Sequence, residues 1–307
     1  MKTITKSLLK EYAEKVKQSP VFGRIQEVRG KLDETFGHLT LDELDHVYTS
    51  AKEPSKEFIS VTTLVHKYIQ EQDWEMIAER YAVKNKMEKK VVQENWDWTK
   101  YKACVLGTKT HLLGETICLA LLGYMDGKSE EEVDEICFKN MGSQYSKMNG
   151  ELSFIPITTN EEKVITFWLD VMTAESVSYI PVAAEQIIDH PSGFAGTIDL
   201  LMWFAPLNKM VVMDYKTNSK LEDSYARKEN RRLLMPFTDL IDEALSHYTL
   251  QLAFYTRALV DAKVIDINDV LDYQLIHVNG SEKRDEPQPR YDLVRVNSGM
   301  YVHRVVE

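Results

Sequence analysis

The pattern of apolar and polar positions changes along the chain from a helical period to a strand period. Before about residue 100, apolar residues recur three and four apart, as in LDELDHVYTSAK (41–52) and DWEMIAERYAVKNK (73–86), which predicts helices. The first 20 residues predict a short amphipathic helix, because they lack the continuous apolar block of a secretory signal. The segment FISVTT (58–63) is compatible with a short strand or with the N-cap of a helix.

The second part of the chain combines helices with strands. GTKTHLLGETICLALLGYM (107–125) predicts a helix that begins near Gly107, and residues 240–263 predict a long amphipathic helix. Residues 180–189 and 270–280 alternate like strands. The remaining predictions are a helix or strand at 164–172, an acidic, loop-like stretch at 126–160, a turn at 282–290, and closing strands at 291–296 and 301–306.

This order of elements predicts an α/β fold in which a mixed central sheet is flanked by helices. We expect two parts, a mainly helical N-terminal region (1–100) and a core that contains the sheet (101–307).

Residues 196–218, GTIDLLMWFAPLNKMVVMDYKTN, predict two apolar strands that carry charged residues in their interior. Asp199 and Asp214 are symmetric about the central turn, so in that register their Cβ atoms lie about 5 Å apart on one face. Lys216 is two residues beyond Asp214 and shares that face. A slip of one residue would move one carboxylate to the other side.

Two adjacent carboxylates in an apolar sheet repel each other, and burial of each without a partner costs several kcal/mol, roughly. A divalent cation removes this cost, and carboxylate oxygens are natural ligands of Mg²⁺ or Mn²⁺. The sequence therefore predicts a metal site with an ammonium group beside it. The alternative is an inert, solvated Asp–Lys–Asp cluster at the strand ends.

Composition excludes several other sites. Cys104, Cys118 and Cys137 form no C-x-x-C pair, which argues against a disulfide framework, an iron–sulfur cluster and a cysteine-rich zinc site. The chain has no apolar run of 18 residues, so we expect no membrane span.

The net charge of −11 counts against a nucleic-acid partner, but residues 220–232 hold five basic and three acidic residues. That stretch is either a local basic patch or a solvated helix face.

Gly196 to Asp199, followed by Asp214-Tyr215-Lys216, resembles the signature of the PD-(D/E)XK nucleases. Further segments are similar to the RecB-like branch: GTKTH, which contains His111, YTLQLAFY (248–255), and the helical stretch after residue 58. The resemblance runs from about residue 58 to residue 280 and implies a restriction-endonuclease-like fold.

The resemblance also implies roles for individual residues. The implied metal ligands are His111 at the start of a helix, Asp199, Asp214 and the backbone carbonyl of Tyr215. Lys216 would orient or activate the attacking water, and Gln251 and Tyr255 would hold the site and the DNA backbone. The outer-shell candidates are Glu115 and Glu185, and the expected DNA-binding residues are Lys220, Arg227, Lys228, Arg231, Arg232 and Tyr248. Each has a structural alternative: a helix cap or surface position for His111, a surface amide for Gln251, and core packing for Tyr248 and Tyr255.

The expected function is that of a DNA exonuclease that requires Mg²⁺ or Mn²⁺ and acts on linear DNA in phage or bacterial recombination or repair. The alternatives are an endonuclease of the same fold and an inactive DNA-binding protein. The resemblance suggests a single-strand annealing protein as a partner and the bacterial host cytoplasm as the location. Trp74 or Tyr81 would stack on unpaired bases or pack in the core.

Overall fold

The computed structural model describes residues 2–42, 45–278 and 291–306, and these residues form a mixed α/β fold. The helices are α1 (Lys6–Lys17), α2 (Phe22–Phe36), α3 (Val61–His66), α4 (Trp74–Asn85), α5 (Lys89–Met125), α6 (Glu130–Met141), α7 (Thr159–Thr173), α8 (Ser224–Lys228) and α9 (Ala244–Asp261). The strands are β1 (Ile4–Thr5), β2 (Leu39–Asp42), β3 (Val47–Ser50), β4 (Ile59–Ser60), β5 (Tyr145–Met148), β6 (Glu151–Phe154), β7 (Tyr179–Asp189), β8 (Phe194–Phe204), β9 (Lys209–Lys216), β10 (Val270–His277) and β11 (Asp292–Arg295).

The central sheet is mixed, as the sequence predicts. Along one path its strand order is β11-β10-β9-β8-β4, and β7 also pairs with β8. The pairs β7–β8, β8–β9 and β10–β11 are antiparallel, whereas β9–β10 and β4–β8 are parallel. Strands β8 and β9 are buried along almost their whole length, which explains why both read as nearly continuous apolar runs.

Helices α1 and α2 belong to the same hydrophobic core as the sheet. Leu9 of α1 and Val28 of α2 lie in one buried cluster with Leu201 of β8 and Leu252 of α9. Helix α5 runs without a break across the predicted boundary between residues 100 and 101. The division into parts 1–100 and 101–307 stays a prediction.

Several local predictions are wrong. Within the stretch 41–52, predicted as a helix, residues 41–42 end strand β2 and Val47–Ser50 forms strand β3. These two strands pair antiparallel, and the hydroxyls of Thr40 and Thr49 pair across them at 2.7 Å. Residues 126–160 contain α6, which begins with a capping box between Ser129 and Glu132, and the short hairpin β5–β6. Residues 301–306 form turns instead of a strand.

Two segments, 164–172 and 58–63, were each compatible with two structures. Residues 164–172 belong to helix α7. In 58–63 both alternatives hold, because Ile59–Ser60 forms β4 and the Ser60 side chain then caps α3. The turn predicted at 282–290 lies outside the described residues.

Helix α5 has 37 residues and is apolar enough to cross a membrane by length and composition, with a mean hydropathy of 1.2 in its most apolar window. Half of that window is buried inside the protein. The helix thus serves as a packed element of the fold.

Candidate metal centre

Three carboxylates lie in a row across β7, β8 and β9. The β8–β9 register pairs Leu200 with Met213, and its continuation by one residue places Asp199 opposite Asp214, as the symmetry of the hairpin predicts. Between β7 and β8, the pairs Ala184–Leu200 and Gln186–Ile198 lie on either side of position 185. They place Glu185 opposite Asp199. Directly opposite residues share a face of the sheet, so the three side chains converge.

Strands β8 and β9 separate at this row. Their regular ladder ends at the pair Leu200–Met213, and the amide of Tyr215 donates to Oδ2 of Asp199 at 2.9 Å instead of to a backbone carbonyl. The N–H and C=O groups of one strand residue point to the same side. The Tyr215 carbonyl, predicted to be a ligand, therefore faces the β8 side, where Asp199 lies.

Helix α5 brings His111 to this opening through a close contact with β9. A Cβ atom on Gly114 would lie 2.5 Å from Cζ of Tyr215, so only glycine allows the buried tyrosine ring to pack against the helix. The indole of Trp168 donates to the Tyr215 hydroxyl at 3.0 Å and fixes the ring. His111 lies one turn before Gly114, with its ring edge-on to Tyr215 at a centroid distance of 5.8 Å.

The predicted position of His111 at a helix start is wrong, because α5 begins at Lys89 and His111 lies in its interior. Gly107 and Thr108, the predicted start, lie inside the helix, and the Thr108 hydroxyl donates to the Cys104 carbonyl one turn earlier instead of capping an N-terminus. The histidine thus sits on a rigid element that is held at both ends, and the alternative of a helix cap does not apply.

Replacement of Gly114 by alanine is expected to lower the free energy of unfolding by about 1–3 kcal/mol, because the new methyl group overlaps the Tyr215 ring. Gly30→Ala in α2 is the matched control, since a Cβ at Gly30 meets nothing within 4 Å. Alanine there should leave stability unchanged or raise it by up to about 1 kcal/mol. Urea unfolding of both variants measures the difference, and equal stabilities would contradict the packing argument.

The imidazole and two of the carboxylates form a set that could hold a metal ion. His111 Nδ1 lies 3.0 Å from Oδ2 of Asp199, and one ligand atom each from His111, Glu185 and Asp199 lie within 4.8 Å of one another. Glu185 adopts a left-handed backbone conformation with a φ of 46°. Such a conformation costs a non-glycine residue on the order of 1–3 kcal/mol and is concentrated at functional sites. Glu185, expected in the outer shell, thus lies close enough to His111 and Asp199 to be a candidate ligand.

Asp214 is turned toward Lys216 instead. The Lys216 ammonium contacts Oδ2 of Asp214, and both side chains are largely buried, at 12% and 1% exposure. Burial and then the neighbouring Asp199 raise the pKa of Asp214 to about 7. Burial alone would lower the pKa of Lys216, but Asp214 and then Asp199 outweigh it and raise that pKa, so the amine is charged at neutral pH.

In the pair of Asp199 and His111, the two pKa values shift in opposite directions. Burial opposes ionisation of Asp199, yet His111 and then Lys216 outweigh it and hold the pKa of Asp199 well below its usual range. Burial likewise opposes the charge on His111, and Asp199 outweighs it, so that the pKa of His111 is raised. The negative charge of Asp199 thus favours a positive charge beside it.

The donor set fits a hard divalent cation. Carboxylate oxygens with one imidazole nitrogen suit Mg²⁺ or Mn²⁺, and the Tyr215 carbonyl faces the same opening. Oδ1 of Asp214 is buried and accepts no hydrogen bond from any described residue, which leaves a lone pair for an ion or its water. Glu115, one turn beyond His111 on α5, is partly buried and is not a member of the three-residue set.

Helix α9 closes the other side of the site. A Cβ on Gly196 of β8 would lie 2.6 Å from Cε1 of Tyr255, so the glycine allows close approach of the helix. Gln251 donates to the hydroxyl of the buried Tyr255 at 2.7 Å. Because Tyr255 is buried, it is positioned to support the site rather than to contact DNA directly.

Tyr248, also on α9, covers Lys216. The ammonium lies 4.2 Å from the centroid of the Tyr248 ring. The Tyr248 hydroxyl donates to the Asn218 side chain at 2.6 Å, and Nε2 of His277 pairs with the Asn218 carbonyl at 2.6 Å. A chain of contacts from β10 to α9 therefore fixes the lysine.

Two of the five basic residues in the predicted basic stretch are neutralised by carboxylates within the protein. Arg227 binds both carboxylate oxygens of Glu243, at 2.9 and 2.7 Å, and Arg231 pairs with Asp242 at 3.0 Å. Arg232 donates to the backbone carbonyl of Asp239 at 2.7 Å. Lys220 and Lys228 are exposed and have no ion pair with any described residue. The arginines thus anchor the loop before α9, and a DNA-binding role for this stretch stays a prediction.

A cleft of about 870 Å³ lies beside this loop, between the residues after α3 and the start of α9. Its lining holds two permanent cations, Lys220 and Arg231, and the histidines His66 and His247. Five carboxylates share the same lining: Glu71, Glu222, Asp223, Asp242 and Glu243. The excess of acidic groups gives this cleft no net attraction for a polyanion.

Four residues at the site were missed by sequence reasoning: Gly114, Trp168, Asn218 and His277. A signal existed only for Gly114, because an isolated glycine inside a strong helical pattern often marks a close packing contact. The other three act through partners that are distant in sequence. No protein-family model matches the sequence, and a search among curated proteins finds no match either.

Proposed function

We propose that the protein is a nuclease that requires Mg²⁺ or Mn²⁺ and hydrolyses phosphodiester bonds of DNA, starting from the ends of linear molecules. The observation that carries the proposal is the convergence of His111, Glu185 and Asp199, whose ligand atoms lie within 4.8 Å, next to the buried ion pair of Lys216 and Asp214. The proposal includes a restriction-endonuclease-like fold for the mixed sheet, which the residue pattern of the β8–β9 hairpin supports.

A purely structural cluster is a weaker explanation of the same residues. Two neighbouring buried carboxylates, a strained Glu185 and an unpaired oxygen on Asp214 each cost free energy without a ligand. Apolar residues in a central sheet would avoid this cost. A site that binds a cation and a phosphodiester explains why the chain keeps these groups together.

The chain's own groups have separate tasks in this proposal. A divalent ion bound there would lower the pKa of a water molecule and neutralise developing negative charge. The Lys216 ammonium adds a positive charge beside the phosphate, where a buried donor is most effective. His111 and Asp199 hold the position of the ion, and Tyr248 keeps the lysine aligned.

Linear and covalently closed circular forms of one plasmid test the activity. With Mn²⁺ or Mg²⁺ we expect the linear form to be degraded to small products, the closed circle to persist, and a chelator to stop the reaction. Nicking of the closed circle would indicate an endonuclease instead. Intact DNA in every reaction would contradict the proposed activity.

Tyr248→Leu is expected to lower the single-turnover cleavage rate by about tenfold, since the aromatic face that holds the Lys216 ammonium is lost. Tyr248→Phe is the matched control, because it keeps the ring and loses only the hydroxyl. It should retain most of the rate. Equal losses in the two variants would show that the hydroxyl, through Asn218, matters more than the ring.

A further inference from the structure

The middle of α5 is an unusually bare helix. Residues 97–106 are all exposed, so about three turns of this helix carry no buried side chain, although Val105 and Leu106 are only 37% and 41% exposed. A free helix of this length is marginal in water, but this one is held at both ends. A small cluster of Ala78, Ala82 and Val92 packs before it, with Trp96 against it, and the main core begins again at Thr110.

This bare segment, residues 97–106, exposes large apolar groups. Trp98 and Tyr101 are 57% and 60% exposed and stack on each other with a centroid distance of 5.6 Å. The ammonium of Lys102 lies 5.4 Å from the centroid of the Trp98 ring. Exposed aromatic groups of this size that cover no core indicate a surface that binds a partner.

Local charge identifies the class of partner. Residues 74–109 hold eight basic and five acidic residues, within a chain whose net charge is −11. The sequence WTKYK (98–102) alternates aromatic residues with lysines. Protein interfaces are depleted of lysine at their centres, whereas proteins that bind single-stranded nucleic acid combine cationic groups with aromatic rings that stack on bases.

The bare segment also leads to the candidate metal centre. At 3.6 residues per turn, Lys100 and His111 lie on nearly the same side of α5 and are about 16 Å apart along its axis. The residues between them on that side are small: Ala103, Cys104 and Gly107. A Cβ on Gly107 would lie 3.4 Å from Oγ1 of Thr217, next to Lys216. A strand that leaves the centre along this side meets Lys100 within a few nucleotides. It must then pass around the helix to reach Tyr101, about 100° from Lys100, and Trp98 and Lys102, about 160° from it.

We infer that the bare segment of α5 binds single-stranded nucleic acid, with Trp98 and Tyr101 stacking on unpaired bases and Lys100 and Lys102 contacting phosphates. The inference rests on the proposed nuclease function for its link to the metal centre and assigns that function a single-stranded substrate. Base pairs of an intact duplex hide the faces that stacking needs, so blunt duplex DNA should bind this segment poorly.

The test is fluorescence anisotropy of a labelled oligothymidylate with the full chain in chelator, so that binding is measured without cleavage. The double variant Trp98→Ala/Tyr101→Ala should bind at least about tenfold more weakly than wild type, since each stacked base contributes about 1–3 kcal/mol. Val83→Ala, which removes a 76% exposed apolar residue from the neighbouring helix α4, is the control and should bind like wild type.

A charge variant adds an independent readout. Lys100→Glu/Lys102→Glu should weaken binding and flatten its dependence on salt concentration, because fewer phosphate contacts release counterions. Binding of the double aromatic variant equal to wild type would overturn the inference, as would equal weakening on blunt duplex DNA. A change of oligomeric state in that variant with unchanged oligonucleotide binding would instead assign the segment to contact between protein chains.

The outcomes separate this inference from the proposed function. Tight oligonucleotide binding that depends on Trp98 and Tyr101, without cleavage of any DNA in Mn²⁺, would support the binding segment and contradict the nuclease. Cleavage of linear DNA that survives the double aromatic replacement unchanged would support the nuclease and contradict the binding segment.

Discussion

Lys216→Ala is expected to lower the rate of DNA cleavage by about 10²–10³-fold, the cost of removing one positioned donor from a transition state. The ammonium is 12% exposed and lies against Asp214, so water cannot replace its charge in the same position. Binding of DNA in Ca²⁺ should change little, because one buried lysine adds little to the contact with a long polyanion. Single-turnover cleavage and DNA affinity, measured on the same variant, separate the two effects.

Two further variants control this experiment. Lys216→Met keeps the apolar stem without the charge, so it distinguishes loss of the ammonium from loss of packing, and it should lose as much activity as alanine. Lys209→Ala removes a lysine from the other end of β9, where it bonds the Asn268 carbonyl, and should cleave within about twofold of wild type. A Lys216 variant with normal cleavage would refute the role assigned to this residue.

Asp199→Asn is expected to abolish both cleavage and the stabilisation that Mn²⁺ gives to the wild-type protein. A ligand that binds only the folded state at 100 times its Kd stabilises that state by about 2.7 kcal/mol. Asparagine keeps an oxygen that accepts from the Tyr215 amide but removes the charge that attracts the ion. Thermal unfolding with and without Mn²⁺ measures the difference.

Asp189→Asn is the matched control for the metal experiment. It changes a carboxylate at the far end of β7, where Lys56 is the partner at 3.2 Å, and leaves the three-residue set intact. Mn²⁺ should stabilise this variant as it does wild type. Equal stabilisation of the Asp199 and Asp189 variants would mean that the ion binds elsewhere.

The hairpin was the most predictable part of the site. Its register followed from the symmetry of Asp199 and Asp214 about the turn, since a period of two leaves only one arrangement with both carboxylates on one face. Helices α5 and α9 were also visible, because their apolar stretches are long and periodic. Such features are local, so one sequence is enough to reveal them.

Features that depend on distant contacts were not predictable. The start of α5 was misplaced because Gly107 and Thr108 resemble a helix start, whereas the helix continues back to Lys89. Glu185 lies near His111 and Asp199 and has a backbone with positive φ, which no residue type in β7 indicates. The ion pairs of Arg227 with Glu243 and of Arg231 with Asp242 could not be read from the sequence either, and the DNA-binding role of this stretch stays a prediction.

The most direct test of the central claim is an anomalous-scattering map from crystals of the protein grown with Mn²⁺. A divalent-metal centre at the β7–β8–β9 opening predicts one strong peak within bonding distance of His111, Glu185 and Asp199. A map in which those three side chains are ordered without a peak between them, or in which the ion lies elsewhere, would contradict it.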